Sequence, residues 1–172
     1  MISNTMKPLV SIIIPTYNSE KTITKCLESI KNQTYESIET IVVDSYSKDR
    51  TVELIKSYDT KVIRGYFNKP RARNVGVLSS SGDYIIMADA DFVFEPDLVS
   101  EVVKCFKKEN CDAIFIPEEY LGDSFLGKCK NLEKKIYHGN EIIEAPRVYK
   151  RWVFHKILFD EKTRDPMNTT ST

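Results

Sequence analysis

Residues Val10–Pro15 (VSIIIP) make a nearly continuous apolar run of strand length, and that run constrains the fold more than any other stretch. Side chains of a strand alternate between its two faces, so a strand apolar on both must be covered on both. That is the situation of a parallel strand between layers of helix. The run breaks at Pro15-Thr16-Tyr17-Asn18. A helical pattern follows, with Ile23, Cys26, Leu27 and Ile30 at i, i+3, i+4 and i+7, and Ser19 is the expected N-cap.

The same alternation continues along the chain. Glu39–Asp44 (ETIVVD) reads as a second strand, and the polar Ser45–Arg50 leads to a helix carrying Val52, Ile55 and Tyr58. Lys61–Arg64 is a short third strand. Pro70 opens a helix with Ala72, Val75 and Leu78, stopped by Ser79-Ser80-Ser81-Gly82. Tyr84–Ala88 is the fourth strand. After Glu95-Pro96 comes a helix with Leu98, Val99, Val102, Val103 and Phe106, and Asp112–Pro117 is the fifth strand. Strands and helices joined by short connections predict an α/β fold with a mainly parallel central sheet and helices on both faces. Residues 1–117 are expected to form that core. Residues 118–172, richer in charge and aromatics, are expected to be an extension of the same domain with frayed last residues.

Composition narrows the function. Lys+Arg 25 against Asp+Glu 25 leaves no global charge to draw nucleic acid, so any phosphate or membrane binding has to come from local patches. Cys26, Cys105, Cys111 and Cys129 show no Cys-x-x-Cys pairing, and only His138 and His155 accompany them, which argues against zinc. Two glycosylation sequons, at Asn32 and Asn168, stand without a secretory signal, and no apolar run reaches the ~20 residues of a membrane span. The expected compartment is the reducing cytoplasm. There is no GxGxxG, no GxxxxGK[ST] and no GxSxG, which excludes the dinucleotide, P-loop and serine-hydrolase readings.

Ligands of open parallel sheets bind at the carboxyl ends of the strands. The unusual polar residues fall there: Thr16, Tyr17 and Asn18 after the first strand, Asp44 and Ser45 after the second, Asp89 and Asp91 after the fourth. An isolated Asp-x-Asp is ordinarily a solvated turn or an N-cap. This one follows a fully apolar strand, and its alternating acids can face one ligand; few hard oxygen donors suit Mg²⁺ or Mn²⁺, which fill their shells with water and phosphate. Arg71 and Arg73, with Asn74, open a helix in PRARNVG. They are either a solvated face or guanidinium groups placed for a diphosphate. Gly76 permits close packing on a neighbour or on a ligand.

VSIIIPTYN, IETIVVDSYSKDRT, RARNVG, SSGDYIIMADADF and PDLV occur in the order typical of family 2 glycosyltransferases of the GT-A fold, and residues 8–117 resemble that family; EAPRVYKRWVFHKILFDE (144–161) resembles its acceptor-side region more weakly. The resemblance implies a nucleotide-sugar-binding core and transfer of a sugar from a UDP- or GDP-type donor, with Mn²⁺ or Mg²⁺ and with inversion. It implies a base pocket of Pro15, Thr16, Tyr17, Asn18, Asp44 and Ser45, with Asp44 accepting from a ring N–H and Glu20 near the ribose. Arg71 and Arg73 then lie near the diphosphate, Asp89 contacts the ribose or a metal-bound water, and Asp91 ligates the metal. Where the family often has two acids, this chain has Asp44-Ser45.

The family's general base usually follows a segment like Phe159-Asp160-Glu161 as an acidic pair, and here KTRDPMNTTST follows instead. Three explanations stay open. The chain is a donor-binding module needing a partner or a further segment; Asp165, Glu118 or Glu119 substitutes; or the acceptor needs no base. A sugar hydroxyl must lose its proton as it attacks. A polyprenyl phosphate is already anionic, because a phosphate's second pKa is about 6. Phe125–Tyr137 carries an apolar stripe (Phe125, Cys129, Leu132, Ile136) among Lys128, Lys130, Lys134 and Lys135. It reads either as a surface helix on the sheet or as a basic amphipathic helix at the cytoplasmic membrane surface. Self-association into a homo-oligomer stays open as well.

Overall fold

The computed structural model of the chain describes residues 7–117 and 145–162. Strands β1 (Val10–Thr16), β2 (Ile38–Asp44), β3 (Lys61–Arg64), β4 (Tyr84–Met87), β5 (Ala113–Ile114) and β6 (Val148–Lys150) form one sheet in the order β3-β2-β1-β4-β6-β5. Four of them are parallel neighbours: β1 pairs with β2 and β4, and β2 with β3. β6 is antiparallel to both β4 and β5.

The apolar run of β1 does what its composition requires. Val10, Ile12 and Ile14 point to one face and Ile13 to the other, and all four are fully buried. The first face is covered by helices α1 (Ile23–Lys31), α2 (Thr51–Ile55) and α4 (Leu98–Lys108), through Ile23, Cys26, Leu27 and Ile30, Ile55, and Val99, Val102, Val103 and Phe106. The second is covered by α3 (Lys69–Leu78) and by the 3₁₀ turn Arg151–His155, whose Phe154 packs with Ile13, Val77, Ile85 and Met87. Helices therefore lie on both faces of a mostly parallel sheet, the fold class expected.

Several local expectations are corrected. α1 starts at Ile23, and Ser19 caps by its backbone only: its carbonyl accepts from the amides of Thr22 and Ile23. α2 ends at Ile55, so Tyr58 lies beyond it. On α3 the buried side is Ala72, Asn74, Gly76 and Val77, whereas Leu78 is 72% exposed. The apolar spacing there is misleading because a glycine and an asparagine take core positions. β5 shrinks to two residues, and β6 was absent from the expected pattern. β6 inserts between β4 and β5, so Val148–Lys150, past residue 117, belong to the central sheet. Cys129, the Phe125–Tyr137 stripe, Glu118, Glu119, His138 and Asp165 lie outside the described residues.

Gly76 settles one alternative. A Cβ there would stand 2.3 Å from the Ile13 Cγ2, far inside van der Waals contact, so glycine is what lets α3 lie against β1.

Candidate functional site

The carboxyl ends of β1, β2 and β4 and the amino end of α3 surround a cleft of about 1150 Å³. Its first wall is the turn after β1. Thr16 is buried, Tyr17 is 57% exposed, and Asn18 takes a left-handed φ of 49°, which asparagine tolerates better than most residues. That turn is fastened to the loop after β2. The Asn18 amide donates to Ser47 Oγ at 2.9 Å, the Lys48 amide to Asn18 Oδ1 at 2.8 Å, and the Ser19 amide to Thr51 Oγ1 at 2.7 Å. Glu20 accepts from the Arg50 amide at 3.1 Å. Pro15, Thr16, Tyr17, Asn18, Glu20 and Ser45 all line the cleft, together with Tyr66 and Phe67 from the loop after β3.

Asp44 does not line it. Fully buried, it accepts from Thr16 Oγ1 at 3.3 Å, from the amide and hydroxyl of Ser47, and from Arg64 Nε at 3.2 Å. The expected partner of a base N–H is thus enclosed by protein donors, and what it holds is the wall: β1's end, the turn at Ser47 and β3's end. Tyr46, at a φ of 54°, places its ring 4.5 Å from that of Tyr66 and under Arg64.

The opposite wall is built by α3. Asn68 caps it, accepting from the Arg71 amide at 3.0 Å, and Pro70 sits in its first turn. Lys69 reaches Asp89 Oδ1 at 2.9 Å, Arg73 reaches the same oxygen at 3.3 Å, and Arg147 approaches Oδ2 at 3.6 Å. Burial pushes the Asp89 carboxyl up, but these three cations, Lys69 foremost, outweigh it and hold the group below the usual carboxylate range. Arg71 does not line the cleft: it is 3.9 Å from Glu161 and lies over the ring of Phe67. Arg73 stands behind Asp89, over Phe159, with its Nε buried and unpartnered among the described residues.

Asp91 lies on the rim two residues beyond Asp89, exposed and, among the described residues, without a hydrogen-bond or ion-pair partner. No group of three or more His, Cys, Asp or Glu that could hold a metal exists among the described residues. The donor set therefore fits an ion that takes one protein carboxylate and fills the remaining positions with water and a phosphorylated ligand, as Mg²⁺ and Mn²⁺ do. Asp89, neutralised by cations, fits a direct ligand poorly.

The segment after the 3₁₀ turn is tied to α3 by asparagines. Asn74 Nδ2 donates to the Phe159 carbonyl and to Glu161, its Oδ1 accepts from the Phe159 amide, each at 2.9 Å, and Asn68 Nδ2 donates to the Glu161 carbonyl at 2.7 Å. Sequence reasoning missed Lys69, Arg147, Tyr66 and this clamp. Lys69 had a signal available, a cation directly before the helix-opening Pro70. Arg147 lies past the alternating elements and had none. No helix among the described residues is long and apolar enough to cross a membrane.

Comparison with known proteins adds to this geometry. Residues 11–150 match the profile of the family described as glycosyl transferase family 2. The chain is 32% identical over 146 residues to an uncharacterized glycosyltransferase of Haemophilus influenzae, covering 81% of this chain and 50% of that protein. Among solved structures, S. aureus TarS 1–349 in complex with UDP is similar at a TM-score of 0.62 and 26% identity, over 67% of this chain and 37% of that one. A mannosyltransferase of Pyrobaculum calidifontis in complex with GDP-Man and Mn²⁺ is similar at a TM-score of 0.57 and 26% identity, over 66% and 37% respectively. The chain spans about half the length of the curated relative.

Proposed function

The chain belongs to glycosyl transferase family 2, and from that membership we propose that its cleft takes a nucleoside-diphosphate sugar and that the protein transfers the sugar, with inversion, to a glycan or polyprenyl-phosphate acceptor. The observation that carries the reading is the gathering on one rim of exposed aromatic rings, a cation at the amino end of α3 and an unpaired carboxylate, Asp91. Those are the groups a base, a diphosphate and a divalent ion respectively require. Tyr17 and Tyr66 offer faces for the base, Asn18 and Ser45 offer polar contacts beside it, and Glu20 stands near the ribose. The field of α3's amino end favours the diphosphate.

Asp91 is the residue to hold Mn²⁺ or Mg²⁺, with Asp89 beyond its direct reach as a positioning anion. When bound, the ion acts as a Lewis acid that neutralises charge on the departing nucleoside diphosphate. The mannosyltransferase complex with GDP-Man and Mn²⁺ supports, by likeness, the choice of a divalent ion.

A second reading, a donor-binding module that turns over only with a base supplied from elsewhere, is favoured by one observation. Of the carboxylates lining the cleft, Glu20, Asp49 and Asp89 are already engaged by protein donors. Glu161, close to α3, is held by Asn74 and Arg71. Only Asp91 among these is free, and it is the metal candidate. An acceptor phosphate, which carries its own negative charge, would need no base.

One experiment addresses both readings: a thermal-shift panel of UDP, GDP and their sugars with and without Mn²⁺, followed by donor hydrolysis, on the wild type and Asp91→Ala. The expected result is stabilisation by one nucleotide class, an added increment with Mn²⁺, and loss of that increment in Asp91→Ala. No stabilisation by any nucleotide defeats both readings. Metal-stimulated turnover that survives Asp91→Ala defeats the metal assignment alone.

A further inference from the structure

Asp89 is one negative charge faced by three positive ones, and the three are not equivalent. The side chains of Arg73 and Arg147 are only 19% and 23% exposed and stand off the lining of the cleft. Both are also parked on rings, Arg73 over Phe159 at 5.5 Å and Arg147 over Phe92 at 5.1 Å. Lys69 is 42% exposed, lines the cleft and rides on the first turn of α3.

On the reading of this cleft as a donor site, we propose that Lys69 is a diphosphate-binding residue held in waiting by Asp89. It exchanges the carboxylate for phosphate oxygens when the donor arrives, and Arg73 and Arg147 keep Asp89 compensated. Removing the last cation from a half-buried carboxylate would be costly; removing one of three is not, because two guanidinium groups remain within ion-pair reach. Exchange of one anion for another also keeps the ammonium paired throughout. A lysine suits the task, with a compact charge and three donors on a flexible stem, whereas each arginine is fixed as a planar fork. Of the two arginines the sequence offered for this role, Arg71 is turned toward Glu161 and Phe67, and Arg73 stands on Asp89 and Phe159.

The test is titration calorimetry of the full chain in Mn²⁺ buffer with UDP and GDP, and with uridine and guanosine measured by competition. The wild type is compared with Lys69→Met, which keeps the stem, and Lys69→Arg, which keeps the charge. For whichever nucleotide the wild type binds, Lys69→Met should weaken affinity by about tenfold to a hundredfold, as expected for a lost charge-assisted hydrogen bond. Its affinity for the bare nucleoside should match the wild type, and Lys69→Arg should recover part of the loss. Unchanged nucleotide affinity in Lys69→Met overturns the proposal. So does an equal loss for nucleotide and nucleoside, which would mean that Lys69 acts by shaping the wall through Asp89. If neither UDP nor GDP binds the wild type, the donor reading itself fails, a result separate from anything Lys69→Met can show.

Discussion

Gly76→Ala tests how α3 is seated on the sheet. The added Cβ would lie 2.3 Å from Ile13 Cγ2 and 3.4 Å from Ile13 Cβ and Cγ1, so the conflict is with one methyl group of a fully buried side chain. Ordinary carbon contacts fall near 3.5–4.0 Å, so about 1.2 Å or more must be found. Ile13 is β-branched and packed on a strand, so it has little rotamer freedom, and α3 has to lift from the sheet instead. Overpacking of this kind costs about 1–3 kcal/mol. Replacing glycine by alanine inside a helix returns about 0.8–1 kcal/mol. The net expectation is a loss of up to about 2 kcal/mol, or a midpoint lower by up to about 8 °C for a chain of this size.

The decisive comparison is the same substitution in an Ile13→Ala background. There the opposing methyl is gone, and only the helix-propensity gain remains, so the effect of Gly76→Ala should change sign. Urea unfolding of the four proteins closes this double-mutant cycle. An equal cost in both backgrounds, or a gain in the wild type, would refute the account of Gly76 as the contact that seats α3 on β1.

Asn74→Ala should cost about 1–3 kcal/mol in urea, since it removes three hydrogen bonds that fasten Phe159 and Glu161 to α3. The Phe159 amide should then lose its protection in hydrogen exchange; retained protection would contradict the clamp. The pH dependence of Asp89 has a fixed sign. Its folded pKa lies below the ordinary 3.8, so its ion pairs contribute stability above that value and lose it as pH falls through the folded pKa. The stability gap between the wild type and Asp89→Asn should therefore be constant near neutrality and shrink only in acid below about pH 4, read from urea midpoints against pH. Burial pushes the Cys26 thiol up to about 12, so in the native state it should resist alkylation longer than the partly buried Cys105.

The sheet was legible where one periodicity governed a segment. β1, β2 and β4 are apolar on both faces, α1 buries the four residues its spacing selects, and α4 buries all of its own but Leu98, which is partly buried. Legibility failed where another interaction replaced hydrophobic spacing. α3 buries Asn74 because that side chain serves as a backbone partner for Phe159, and it buries Gly76 because Ile13 occupies the space a side chain would take. β6 is three residues whose reason to pair is β4's free edge, and a local pattern carries no record of a distant edge.

The site divides along the same physical line. Residues placed by strand ends were foreseeable, because a buried strand fixes where its last residue emerges: Thr16, Tyr17, Ser45, Asp89 and Asp91 all reach the cleft. What each does there depends on charges brought from elsewhere in the chain. Asp44 and Asp89 are both acids at strand ends, yet protein donors enclose the first and three cations surround the second. One of those cations, Arg147, is 58 positions away in sequence from Asp89, judged by residue number alone. Asp91, which has no hydrogen-bond or ion-pair partner among the described residues, differs from them by lying on an exposed turn. An Asp-x-Asp motif therefore holds two different chemical groups: one whose charge is already spent inside the protein, and one whose charge is left for a ligand. Substituting each singly should show the division, with Asp89 changes read mainly in stability and Asp91 changes read mainly in metal-assisted nucleotide binding.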